Sequence, residues 1–158
     1  MKLLFIICLV SFAAQSQEVK KIMAPIDLLF EGMKQGDSAA VHRAFHPSAT
    51  LNTVATDANT NLPVLRGETL QEFLQAVGKP HKEVWNEMIW SPKVEVDGNF
   101  AQVWVNYAFF VDVKFNHCGV DAFHLFKDVG GSWKIFSLSD TLQKAGCNVT
   151  KEVSERIR

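Results

Sequence analysis

The chain of 158 residues fits one domain and is long enough to bury a sizeable core without covalent help. At 47% hydrophobic and 21% charged it has an ordinary soluble composition, which argues against a disordered chain. A net charge of −1 and the lack of a long basic run give no footprint for nucleic acid, so no nucleic-acid partner is expected.

The first segment, MKLLFIICLVSFAAQSQ, has one early lysine and an apolar run from Leu3 to Ala14. Ala14 and Ser16 are small residues at the spacing a signal peptidase reads. The pattern predicts a signal peptide over residues 1–16, cut near Ser16–Gln17, and a secreted or periplasmic bacterial product. The run is short for a membrane span, so no membrane attachment is expected after cleavage. Loss of Lys2 takes Lys+Arg from 16 to 15 against 17 Asp+Glu, a mature net charge of −2. Loss of Cys8 leaves Cys118 and Cys147, an even pair in an oxidising compartment.

Residues 17–23 read as a loose leader. Pro25 suits the first turn of a helix, with Ile26, Leu29, Phe30 and Met33 following at helical spacing and Gly36 as its stop. Asp37 can cap a second, short helix carrying Val41, Ala44 and Phe45, ended by Pro47. Residues 48–66 are mixed: TLNTVAT suits a short strand and DANTNLP is turn chemistry. A third helix follows Gly67, with Leu70, Phe73, Leu74 and Val77 on one face and Gly78 and Pro80 closing it.

Four long strand-like segments then fill the chain: EVWNEMIWSPKVEV, FAQVWVNYAFFVDV, CGVDAFHLFKDV and SWKIFSLSDTL. Their breaks fall at Asp97-Gly98-Asn99, around Lys114–Asn116 and at Gly130-Gly131. Three helices followed by an antiparallel meander is an α+β plan. Both faces of these strands are apolar: Phe100, Trp104 and Phe110 alternate with Val103, Val105, Tyr107 and Phe109. Helices can cover one face. The other needs a second cover, which suggests a homodimer.

FEGMKQGDSAAVHRAFHPSATL resembles the opening of nuclear transport factor 2-like domains, where a helix ends at a Gly-Asp step and a short helix leads into an F-H-P-x-A turn. GSWKIFSLSDT resembles the closing strand of the same superfamily. The nearest branch in kind is the secreted bacterial proteins labelled lumazine-binding or SnoaL-like, and the resemblance spans residues 24–147, leaving 148–158 as a C-terminal tail. It implies an α+β cone: a curved antiparallel sheet around a pocket, three N-terminal helices packed on its concave side, and dimers through the convex face. It does not imply one function. Members include isomerases, dehydratases, cyclases, binding modules and assembly domains.

The stretch HCGVDAFHLF carries the chemistry-bearing residues. If strands pair across Gly130-Gly131 with indices summing to about 261, Cys118 lies opposite the Gln143 region, and Cys147 in the irregular tail can fold back to it. A Cys118–Cys147 disulfide would close a loop of about 30 residues and contribute roughly 3 kcal/mol. His117 and Cys118 point to opposite faces, and no metal-ligand spacing occurs among His42, His46, His81, His117 and His124, so no metal is expected. No cofactor motif is present, and no cofactor is expected.

Asp121 shares a face with Phe123 and Leu125. It either lines a wet pocket, where burial raises its pKa, or bonds local backbone or an arginine such as Arg43 or Arg66. The same register sets Asp140 opposite Asp121, and a one-residue slip would move it to the other face. Tyr107, the one tyrosine, can aim its hydroxyl into the cone, and Trp104 and His46 can line it. These residues support three readings. The first is a small-molecule-binding protein holding a flat, partly apolar ligand on Tyr107, Asp121, His46 and Trp104. The second is a cofactor-free isomerase, dehydratase or cyclase with Asp121 or Asp140 as general base. The third is a dimeric interaction domain without a ligand.

Overall fold

A computed structural model describes the chain from Leu3 to Glu155, with side chains from Gln15 onward. The expected leader, residues 1–16, lies outside the described side chains except at Gln15 and Ser16. Helix α1 (Leu3–Gln35) buries Ile22, Ile26, Leu29, Phe30 and Met33 along one stripe, the three- and four-residue spacing a helix requires.

The loose leader expected over residues 17–23 is corrected: these residues are helical and Ile22 is fully buried. The Glu18 carboxylate accepts from Lys127 Nζ at 2.7 Å and from Trp133 Nε1 at 3.0 Å. These are contacts across more than a hundred residues, which no local signal announces. Pro25 sits inside this helix rather than at its start. Gly36 ends it in the left-handed region at φ 67°, and Asp37 N–H bonds back to Gly32 O at 2.8 Å. Asp37 then caps α2 (Ser38–Ala44), accepting from the Ala40 amide at 2.9 Å.

Residues 48–66, mixed in sequence, mostly fall into two paired strands, β1 (Phe45–Thr56) and β2 (Pro63–Thr69). Thr69 and Glu72 form a reciprocal capping box that opens α3 (Leu70–Gly78). The meander follows as β3 (Trp85–Asp97), β4 (Phe100–Val111), β5 (Lys114–Lys127) and β6 (Trp133–Leu142), before a short α4 (Lys151–Glu155) in the tail. The expected break near Lys114–Asn116 falls earlier, at Asp112-Val113, where Asp112 takes a positive φ of 55°.

The strands form one curved six-stranded sheet in the order β2-β1-β6-β5-β4-β3. Neighbours are antiparallel except β1 and β6, which run parallel and join the first strand to the last. Helices α1, α2 and α3 pack on the concave face. Their stripes meet Ala101, Val103, Val105, Phe123, Leu125 and Ile135 in the main core.

On the convex face a second, small cluster gathers Ala108, Phe110 and Cys118 under Cys147 and Val149 of the tail. The Cys118–Cys147 disulfide is formed, with Cα atoms 6.2 Å apart. Cys118 also makes both backbone hydrogen bonds with Gln143, as the pairing rule anticipates. Further along this face the rings of Phe100, His124, Phe126 and Phe136 lie against one another, with Phe100 42% and Trp104 46% exposed.

Candidate functional site

A cavity of about 340 Å³ opens between α1, α3 and the concave face of the sheet. Its walls are apolar: Leu29, Phe30 and Met33 come from α1 and Phe73 from α3, with Trp85 and Phe109 from the sheet. Its polar groups are Glu87, Tyr107, His117, Asp121 and Asp140, with Asn52, Thr53 and Glu68 from β1 and β2. Neighbouring strands put these side chains on one surface by register: Glu87 pairs with Phe109, Tyr107 with Gly119, and Asp121 with Asp140.

The Asp121–Asp140 opposition depends on a bulge. Near the turn the pairs sum to 260, as in Leu125 with Ile135; beyond Phe136 they sum to 261, as in His124 with Ser137. One extra residue on β6 restores the register that aims Asp140 into the cone. Without it Asp140 would point outward.

Asp121 is buried, with 3% of its surface exposed, and its Oδ2 meets no donor. Burial, first, and then the charges of Glu87 and Asp140 push its pKa well above the usual carboxylate range. Glu87 is pushed up to about 8, chiefly by burial. The two carboxyls are within hydrogen-bonding reach of each other, a contact that needs a proton on one of them. One shared proton engages two of the four oxygens, and Asp121 Oδ2 is left without a donor.

Asp140 is raised by burial and held down in part by two donors: Thr53 Oγ1 at 2.6 Å and the Tyr107 hydroxyl at 3.3 Å. That hydroxyl lies nearer the Thr141 carbonyl, at 3.0 Å. Gly119 makes this approach possible, since a Cβ there would stand 1.7 Å from the Thr141 oxygen. His117 is pushed down to about 4 by burial and by Lys144. Its Nδ1 lies 2.8 Å from Asn116 Oδ1, an oxygen that also accepts from Lys144, so Nδ1 carries the proton and Nε2 the lone pair.

Of the residues singled out in the sequence, Tyr107, Asp121 and Asp140 come together at this cavity. Trp104 and His46, expected to line the pocket, are not among its lining residues. Trp104 pairs with Ala122 on the convex face, the side that strand alternation gives an even-numbered residue of β4. His46, the second residue of β1, sets its ring edge-on to Phe126 on that same face.

Sequence reasoning missed Glu87, His117, Thr53 and Glu68. For Glu87 the signal was present: Trp85, Glu87 and Ile89 share a strand face, and a carboxylate between two large apolar residues is the same anomaly that marked Asp121. Among the described residues no three His, Cys, Asp or Glu side chains are placed to hold a metal ion. No described helix is long and apolar enough to cross a membrane.

Comparison with solved structures supports the fold. A nuclear transport factor 2-like protein of Novosphingobium aromaticivorans with a cystatin-like fold aligns over 94% of both chains at 9% identity, TM-score 0.67. One of unknown function from Shewanella baltica is 19% identical, covering 82% of this chain and 97% of its own, TM-score 0.60. A "putative dehydratase" of the same family from Streptomyces avermitilis is 14% identical over 83% and 99%, TM-score 0.61. No curated protein sequence matches the chain. The family whose model covers residues 17–139 is described as "Putative lumazine-binding", and this chain belongs to it.

Proposed function

We propose that the protein binds a small, flat, partly apolar molecule in the concave cavity. The observation that carries this reading is the cavity itself: it is walled by aromatic rings, and Asp121, which borders it, keeps a buried oxygen without a donor. A pocket with a few convergent polar groups among apolar walls is what small-molecule recognition requires. The family description and the Cys118–Cys147 disulfide support a secreted or periplasmic ligand carrier with its leader removed.

Native mass spectrometry of protein purified from its own compartment, without refolding, tests the reading. A co-purifying molecule that is lost on Asp121→Ala or Tyr107→Phe is the expected result. A protein empty from source and unshifted across a small-molecule screen would move the weight to an interaction domain.

A second reading has its own observation. Carboxyls raised toward neutrality beside a tyrosine suit general acid–base chemistry. On this reading Asp140 or Asp121 is the base of a cofactor-free isomerase, dehydratase or cyclase. Turnover of the co-purified molecule, abolished by Asp140→Asn, would establish it. The exposed aromatic rings of the convex face support a homodimer through that surface. Light scattering over a concentration series should show dimers that Trp104→Glu disperses.

A further inference from the structure

We propose that the cavity selects an organic cation, a protonated amine or amidine carried on a flat apolar body. This deepens the ligand-binding reading and rests on it. Four carboxyls line the cavity, Glu68, Glu87, Asp121 and Asp140, each from a different strand, and no lysine or arginine lines it with them. Asp121 borders this space, and its Oδ2 is buried without a donor. Carboxylates taken from water need a cation or several donors; Glu68 is exposed at the rim and Asp140 has a donor set, while Glu87 and Asp121 have chiefly each other.

The carboxyls do not gather into a metal-ligating group. The missing positive charge is therefore better supplied by a polyatomic group with several N–H donors than by a bare ion. The remainder of such a ligand would lie against Trp85 and Phe109, whose ring faces favour cations and flat apolar groups alike.

Every titratable group facing the cavity fits this chemistry. They are Glu68 on β2, Glu87 on β3, Tyr107 on β4, His117 and Asp121 on β5, and Asp140 on β6; α1 and α3 add apolar groups only. The four carboxyls are all raised by burial, and His117 is held neutral. With the cavity empty, protons on the buried Glu87 and Asp121 pair stand in for the missing cation. An entering ammonium replaces them, so binding releases protons and tightens as pH rises toward and past 8, while the amine itself stays charged.

The test uses three near-isosteric probes on the mature protein: tryptamine, indole-3-ethanol and indole-3-acetate. Calorimetry at pH 6 and pH 8 should show tryptamine binding at least tenfold more tightly than the alcohol, with no binding of the acid. Its affinity should rise several-fold between the two pH values with proton release, and Asp121→Asn should weaken tryptamine tenfold without weakening the alcohol. If Asp121→Asn does not fold, the pH dependence of the wild-type protein decides. Equal or tighter binding of the alcohol or the acid overturns the cation inference and leaves the ligand reading standing. If none of the three binds, the cation inference falls, and the ligand reading is judged separately by the native mass spectrum.

Discussion

The stretch His117–Asp121 builds two different things on its two sides. Toward the convex face Cys118 is fully buried, covalently tied to the tail and packed against Ala108 and Phe110. Toward the concave face His117 and Asp121 border a cavity, and a buried oxygen of Asp121 has no donor. One side is closed by a bond that constrains the unfolded chain. The other leaves titratable groups in a costly environment, which stability alone does not favour. Alternation along a strand lets five residues serve both ends: the side fastened by the disulfide and the side that borders the cavity.

The largest expected effect comes from the residue between the two. Gly119→Ala sets a Cβ against the Thr141 carbonyl, and relief requires backbone movement. It should destabilise by roughly 3 kcal/mol or more, the upper range for overpacking, and denaturant unfolding checks it. Next, removing the disulfide by Cys118→Ala with Cys147→Ala, or by reduction, should destabilise by about 3 kcal/mol. In a thermal melt this is on the order of 10 °C. If the two sides are independent, the pH dependence of the melt should survive the loss of the bond.

That pH dependence is the third prediction. Glu87 and Asp121 have folded pKa values above their unfolded ones, so the folded state holds more protons. Their contribution is fully present below the unfolded carboxylate range and is lost as pH rises through about 8 for Glu87. His117 works in the opposite direction, and its contribution is lost as pH falls from its unfolded value toward about 4. Between pH 6.5 and 9 the carboxyls dominate, so the ligand-free melting temperature should fall by roughly 5 °C or more. Asp121→Asn should flatten the fall and raise the melting temperature at pH 8. The smallest effect is expected far from both features: Trp104→Glu should change monomer stability by less than about 0.5 kcal/mol and leave cavity binding unaltered.

The legible and illegible parts of the molecule separate by the range of their causes. The caps at Asp37 and Thr69, the four meander strands and the hairpin at Gly98 follow from neighbours in sequence, and their approximate places could be read. Asp121 and Asp140 could be set opposite each other because a hairpin carries register across a turn. The bulge at Phe136 that preserves the pairing could not be foreseen. Glu87 escaped notice because its partnership with Asp121 crosses β4 and depends on sheet curvature. The parallel seam of β1 with β6 escaped for the same reason, as did the ordering of residues 17–23 by Glu18. The positions of His46 and Trp104 on the convex face were not legible either, because aromatic character says nothing of which face a strand turns inward.

The parallel seam also bears on how the chain reaches this shape. Thr53 and Asp140, joined across it, lie 87 residues apart. Contacts of such separation must overcome the entropy of closing a long loop before they stabilise anything. The concave cavity draws its walls from both sides of that closure and cannot exist in a chain that still lacks β6. A ribosome-bound fragment ending at the Gly130-Gly131 turn would hold helices and hairpins but no seam. In such a fragment the acidic side chains of β3 and β5 would remain solvated and ionised until the final strand docked.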